Sequence, residues 1–128
     1  MRDIEFRAWD EDNGEMLYSG KDYEKCTFVC ESEGTLKCYV PQRIPATQEE
    51  PEHTIGRELT YIMQFTGLKD NSGRKIFEGD IMNDLTDDEK HIWPVMWLKE
   101  KEYSGWEIGS WTECEVIGNI HENPELLK

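Results

Sequence analysis

The chain has 128 residues, 37% hydrophobic and 33% charged, with 28 acidic against 14 basic side chains and a net charge of −14. That length fits one domain, or one domain with a small appendage, and excludes two large cores. The carboxylate excess opposes sequence-independent binding to DNA, RNA or anionic membrane, because those polyanions are gripped by Lys and Arg.

Five Trp, five Tyr and four Phe bury large areas per residue, so a folded domain is expected. No apolar run approaches the ~20 residues that span a bilayer. The start Met1-Arg2-Asp3-Ile4-Glu5 lacks the build of a signal peptide. The expectation is a cytoplasmic protein whose four cysteines are reduced thiols.

Ile4-Glu5-Phe6-Arg7-Ala8-Trp9 alternates with the period of a half-buried strand. Asp10-Glu11-Asp12-Asn13-Gly14 reads as a turn, and Glu15-Met16-Leu17-Tyr18 as the returning strand. Asp10, Asp12 and Asn13 invite a calcium-loop reading, but Gly14 comes one position early and no Glu closes the loop. Residues 25–30 and 35–40 flank Glu31-Ser32-Glu33-Gly34 and read as a second hairpin. Residues 41–54 bring Pro41, Pro45, Pro51 and a Glu cluster without any period, and are expected as a loop or linker.

Residues 59–65 are rich in β-formers. Asp70-Asn71-Ser72-Gly73 centres a hairpin turn, and residues 76–82 read as one strand with Gly79 inside it. Residues 93–97 form a strand whose Pro94 argues for an edge. Residues 106–111 continue the meander, and 114–120 are the last strand. Asn123-Pro124 reads as an N-cap and first helical residue of a short terminal turn. Short strands with Gly-bearing turns argue for a small β-barrel or sandwich.

Three blocks in order resemble the YopX family of phage and prophage proteins. They are residues 4–10 with Phe6-Arg7-Ala8-Trp9-Asp10, followed by Met16; residues 63–81 with Gln64-Phe65-Thr66-Gly67-Leu68, Asp70, Gly73 and Ile76-Phe77-Glu78-Gly79-Asp80-Ile81; and Glu115-Val116-Ile117-Gly118-Asn119-Ile120 with Glu122-Asn123-Pro124-Glu125-Leu126-Leu127. The resemblance implies a phage or prophage origin and an SH3-like barrel from about Tyr61 onward. Gly67, Gly73, Gly79 and Asp80 are its structural motif. It brings no defined reaction and no catalytic residues. The expected fold is therefore mainly β: an N-terminal β-hairpin element over 1–40, a Pro- and Glu-rich linker over 41–58, and a small SH3-like β-barrel with a short C-terminal helical turn over 59–128.

Candidate chemistry is sparse. Cys26-x₃-Cys30 is off the usual zinc spacing, so structural thiols are expected, with no metal and no cofactor. On a strand Cys26 and Cys30 share a face. A three-residue loop over 32–34 places Cys38 there too, opposite Phe28, and a two- or four-residue loop places it on the other face. His53, His91 and His121 fall in no ligand pattern. Glu78 and Asp80 flank Gly79. A carboxylate pair is conceivable there, but a structural role for Asp80, accepting backbone hydrogen bonds, is preferred.

Trp93, Trp97, Trp106 and Trp111 are the candidate binding residues. Trp93, Val95 and Trp97 share one face of a strand, and the plainest reading of that face is core. Exposed aromatics also form peptide-binding grooves. The reading adopted is a protein-binding module without catalysis, with an unidentified protein partner and self-assembly left open. The alternatives are an acidic inhibitor or mimic that targets a host nucleic-acid-binding protein, and an undescribed enzyme.

Overall fold

The computed structural model describes residues 4–86, 91–99, 104–106 and 113–128. Apart from short 3-10 turns, the described elements are β-strands, so the protein is mainly β. Two compact units divide the chain, one of Glu5–Ile62 and the other of Met63–Lys128 with Met1–Ile4.

The first unit opens with the hairpin of β1 (Phe6–Asp10) and β2 (Glu15–Tyr18), in register from Arg7↔Tyr18 to Asp10↔Glu15. Its turn ends at Gly14, whose φ of +62° only a residue without a side chain adopts cheaply. β3 (Thr27–Cys30), β4 (Leu36–Ile44) and β5 (His53–Leu59) follow as an antiparallel sheet in that order. The Glu31 N–H donates to the Thr35 carbonyl at 2.8 Å, and Phe28 pairs with Cys38. The loop is thus the three-residue form, and Cys38 lies on the Phe28 face. Ala8, Leu17, Cys26, Cys38, Val40 and Leu59 make the core, with Phe28 and Ile62 packed against it.

The segment expected as a linker is largely strand. β4 and β5 run through it as a two-stranded ribbon, paired from Pro41↔Gly56 to Ile44↔His53. Only residues 45–52 remain as the connecting loop. The sequence hides this ribbon because residues on both its faces are exposed, among them Pro41, Gln42, Thr54 and Ile55. No apolar alternation marks it, and backbone pairing with an Arg43–Glu52 ion pair at 2.6 Å holds it.

β6 (Tyr61–Lys69) starts in the first unit and runs into the second. The second unit continues with β7 (Lys75–Phe77), β8 (Asp80–Asp84), β9 (Ile92–Pro94), β10 (Trp97–Lys99), β11 (Ser104–Trp106), β12 (Cys114–Asn119) and a 3-10 helix, Pro124–Leu127. β6 pairs with β7, β12-β8-β9 form a three-stranded sheet, and β10 pairs with β11. These short antiparallel strands form a small, curled β-barrel-like fold, as the SH3-like expectation requires. The core is Ile76, Met82, Val95, Cys114 and Val116, with Leu68 and Trp93 against it.

Three expected strands break. Residues 59–65 break at Thr60, 76–82 at Glu78-Gly79, and 93–97 at Val95-Met96. β-forming side chains continue through the first and last breaks, so the sequence gives no stop. At the second, Gly79 takes φ +86° and turns the chain from β7, which pairs with β6, into β8, which pairs with β12 and β9. Its N–H donates to Val95 O and its carbonyl accepts from Ile120 N, both at 2.8 Å. Asn123 stands at the expected N-cap position before Pro124, but its side chain is used elsewhere. Its side chain makes no cap bond to the helix; its Oδ1 accepts from Asn119 N at 3.2 Å. Gly118 opens that position, since a Cβ there would lie 2.6 Å from Asn123 Oδ1.

At Gly79 a Cβ would also approach Met63 Sδ to 3.1 Å. Gly79→Ala therefore combines backbone strain with crowding and should cost about 2–3 kcal/mol. Gly34, with φ +82° and open space around it, carries the backbone strain alone. Urea unfolding of the two variants should place Gly34→Ala nearer wild type.

Candidate functional site

The tryptophans divide. Trp93, in β9, is half-buried against the second unit's core and meets the His91 ring at a tilt of 57°, with ring centroids 5.3 Å apart. Val95 is fully buried, whereas Met96 is 43% and Trp97 49% exposed. The break after Pro94 thus separates Trp97 from the face that Trp93 and Val95 share. In register Trp97 pairs with Trp106 across β10 and β11. Trp111 lies outside the described residues.

Carboxylates and glycines organise the backbone of the second unit. Gly67 (φ +88°) sits where the β6–β7 register shifts. There Thr66 Oγ1 donates to Ile76 O at 2.7 Å and accepts from Leu68 N. Gly73 (φ +88°) closes the Asp70 turn. Asp80, 1% exposed, uses Oδ2 to accept the Phe77 N–H at 2.7 Å.

Asp70 is the residue whose reach sequence reasoning missed. Its Oδ1 accepts from Ser72 N, Ser72 Oγ and Arg74 N at 2.8–2.9 Å, and its Oδ2 accepts from Val116 N at 2.8 Å. The local turn bonds were legible in Asp-Asn-Ser-Gly, but the bond to β12 was not. Arg57 was missed as well. In the first unit it donates to both oxygens of Asp10, at 2.9 and 3.1 Å, and lies 3.2 Å from Asp12. Asp10 is 1% exposed and also accepts from Asn13 Nδ2 at 2.8 Å.

The chain matches the family described as YopX protein over residues 5–128. It belongs to the YopX family. Among solved structures it is similar to the crystal structure of protein EF1440 from Enterococcus faecalis, at 26% identity, with all of both chains covered and a TM-score of 0.60. No curated protein matches it.

Burial and hydrogen bonding shift several titratable groups of this YopX protein. Burial pushes the Asp10 carboxyl up, but hydrogen bonds from Arg57 and Asn13 outweigh it and leave it below the usual range. Burial likewise opposes ionisation of Asp70, and the N–H groups of Val116, Arg74 and Ser72 overcome it. Burial raises the thiols of Cys26 and Cys114. Burial, with Cys26 beside it, pushes Cys38 up to about 12. Cys30 is exposed. Among the described residues no three His, Cys, Asp or Glu converge as a metal site, and no helix is long and apolar enough to cross a membrane.

Two outcomes follow for this YopX chain. Asp70→Ala strands the buried Val116 N–H and should cost about 2–4 kcal/mol, read by chemical denaturation. Because the folded pKa of Asp70 is depressed, its stabilisation is complete above the unfolded value near 3.8 and is lost as pH falls through the folded one. An acid titration of stability should therefore fall below about pH 4, and less steeply in Asp70→Ala. Separately, alkylation of the native protein at neutral pH should modify Cys30 first, with Cys26, Cys38 and Cys114 reacting only after unfolding, as mass mapping would report.

Proposed function

We propose that this YopX protein is a phage or prophage accessory protein that acts by binding another protein, without catalysis. The observation that carries the reading is the exposure of Met96 and Trp97, adjacent residues 43% and 49% exposed at the start of β10. Trp and Met are among the residues enriched at protein interfaces, where large aromatic side chains supply much of the binding energy. Trp97 leaves the core face by the break at Val95-Met96, so its exposure is built into the fold of the strand.

The electrostatics support binding over chemistry. A catalytic carboxyl is commonly raised toward neutrality and a catalytic thiol lowered. Here the shifted carboxyls Asp10, Asp70 and Asp84 move down, and the shifted thiols Cys26, Cys38 and Cys114 move up.

The test is affinity capture from bacterial host lysate, with and without phage induction, comparing wild type with Met96→Ala/Trp97→Ala. One reproducible partner held by wild type and lost by the variant supports the reading. The variant's stability should stay within about 1 kcal/mol of wild type, as expected for exposed positions. A partner held equally by both moves the interface elsewhere on the chain.

A further inference from the structure

Asn13 and Gly14 lie in the turn of the β1–β2 hairpin, and Asn13 is the one asparagine of the chain followed by glycine. We propose that this dipeptide is a self-modification site: the Asn13 side chain loses its amide to give aspartate or isoaspartate, and the product loosens the Asp10–Arg57 anchor of the first unit. The inference does not depend on the binding surface at Trp97.

The reaction needs only water. Gly14 N attacks Asn13 Cγ, and the new N–Cγ bond closes a cyclic imide. The Cγ–Nδ2 bond breaks, and ammonia leaves with the proton of the Gly14 amide. Water then opens the imide, at one carbonyl to aspartate and at the other to isoaspartate. Glycine favours the attack because no Cβ shields its nitrogen. Residues 11–14 are all exposed, so water reaches the site.

The attacking nitrogen separates this site from the other asparagines. Ser72 N, which follows Asn71, donates to Asp70 Oδ1 at 2.9 Å. Asp84 N, after Asn83, donates to His91 O at 3.1 Å, and Ile120 N, after Asn119, donates to Gly79 O at 2.8 Å. Pro124, after Asn123, has no N–H. Gly14 N makes none of the hydrogen bonds found among the described residues. One restraint remains, because Asn13 Nδ2 donates to Asp10 Oδ2 at 2.8 Å. Imide closure breaks that bond by opening an exposed tip, which loses few buried contacts.

The same bond gives the product its effect. Asp10 is 1% exposed, and the reaction replaces its donor with a second carboxylate. Arg57 is already shared by Asp10 and Asp12. Lys25, which lines the depression beside Asn13, is held by Glu15 at 2.9 Å. Both nearby cations are thus engaged, and the new charge adds repulsion. Isoaspartate also inserts a methylene into the backbone before Gly14, whose φ of +62° leads into the Asp10↔Glu15 pair.

The experiment incubates the folded full chain in warm, mildly alkaline buffer and maps its peptides by mass. Asn13 should convert before Asn71, Asn83, Asn119 and Asn123, and an isoaspartate methyltransferase should label the product. Asn13→Gln, whose longer side chain closes the ring far more slowly, should stay unlabelled at that position. Urea unfolding then compares Asn13→Asp with Asn13→Ala. Both lose the bond to Asp10, but only the first adds charge. The unfolding constant of Asn13→Asp should be about tenfold the larger, the order of one like charge at close range.

Three results would each overturn the proposal. They are an Asn13 that stays intact in the folded chain yet converts in urea, conversion at Asn71 as fast as at Asn13, and equal stability of the Asp and Ala variants.

Discussion

A carboxylate that accepts four hydrogen bonds while 6% exposed holds the second unit together. Asp70 shapes the turn between β6 and β7 with one oxygen and grips β12 with the other, 46 residues further along the chain. Beside it Asn71 N donates to Cys114 O at 2.9 Å. The hairpin tip and the last strand are thereby fixed to each other by one charge-assisted bond, roughly twice as strong as a neutral one, and one backbone bond. Without the Asp70 carboxylate β12 would keep its ladder to β8, but its approach to the hairpin would rest on the Asn71–Cys114 backbone bond and apolar contact. The first unit uses the same device with a different donor, since Asp10 reaches Arg57 across 47 residues.

This gives the acidic composition two distinct meanings. A few carboxylates are structural: buried, fully engaged and held ionised by N–H groups or guanidinium. Most of the other described carboxylates are solvated and set the field a partner meets. Only the second group is available for recognition, and it includes Glu11, Asp12 and Glu58. Net charge alone does not separate these roles. Burial and hydrogen-bond partners do.

Legibility followed the range of the interaction. The β1–β2 hairpin, the Asp70 turn and the Cys114 strand were readable because alternation and turn chemistry act over a few residues. The parity of the 32–34 loop, and with it the face of Cys38, stayed open until the register was seen. The ribbon over Pro41–Gly56 was missed because solvent on both faces erases the period. The strand breaks at Thr60 and Met96 were missed because the side chains on either side favour strand equally. Strand spacing left a small barrel and a sandwich both open, and the resemblance to the YopX family supplied the choice of an SH3-like barrel for the second unit and the weight on Gly79-Asp80. The long-range partners Arg57 and Val116 had no local signal, and the exposure of Trp97 followed from a break that the sequence does not mark.

The β4–β5 ribbon is held mainly by its own backbone, with no side-chain layer beneath it. Such a segment can open while the core below stays closed, because few buried contacts are lost. The loop over 45–52 at its tip is thus mechanically insulated from the first unit's core. Here the chain can be lengthened, cut or rejoined at little energetic cost to the fold. That makes it the natural place for variation in length among proteins built on this plan.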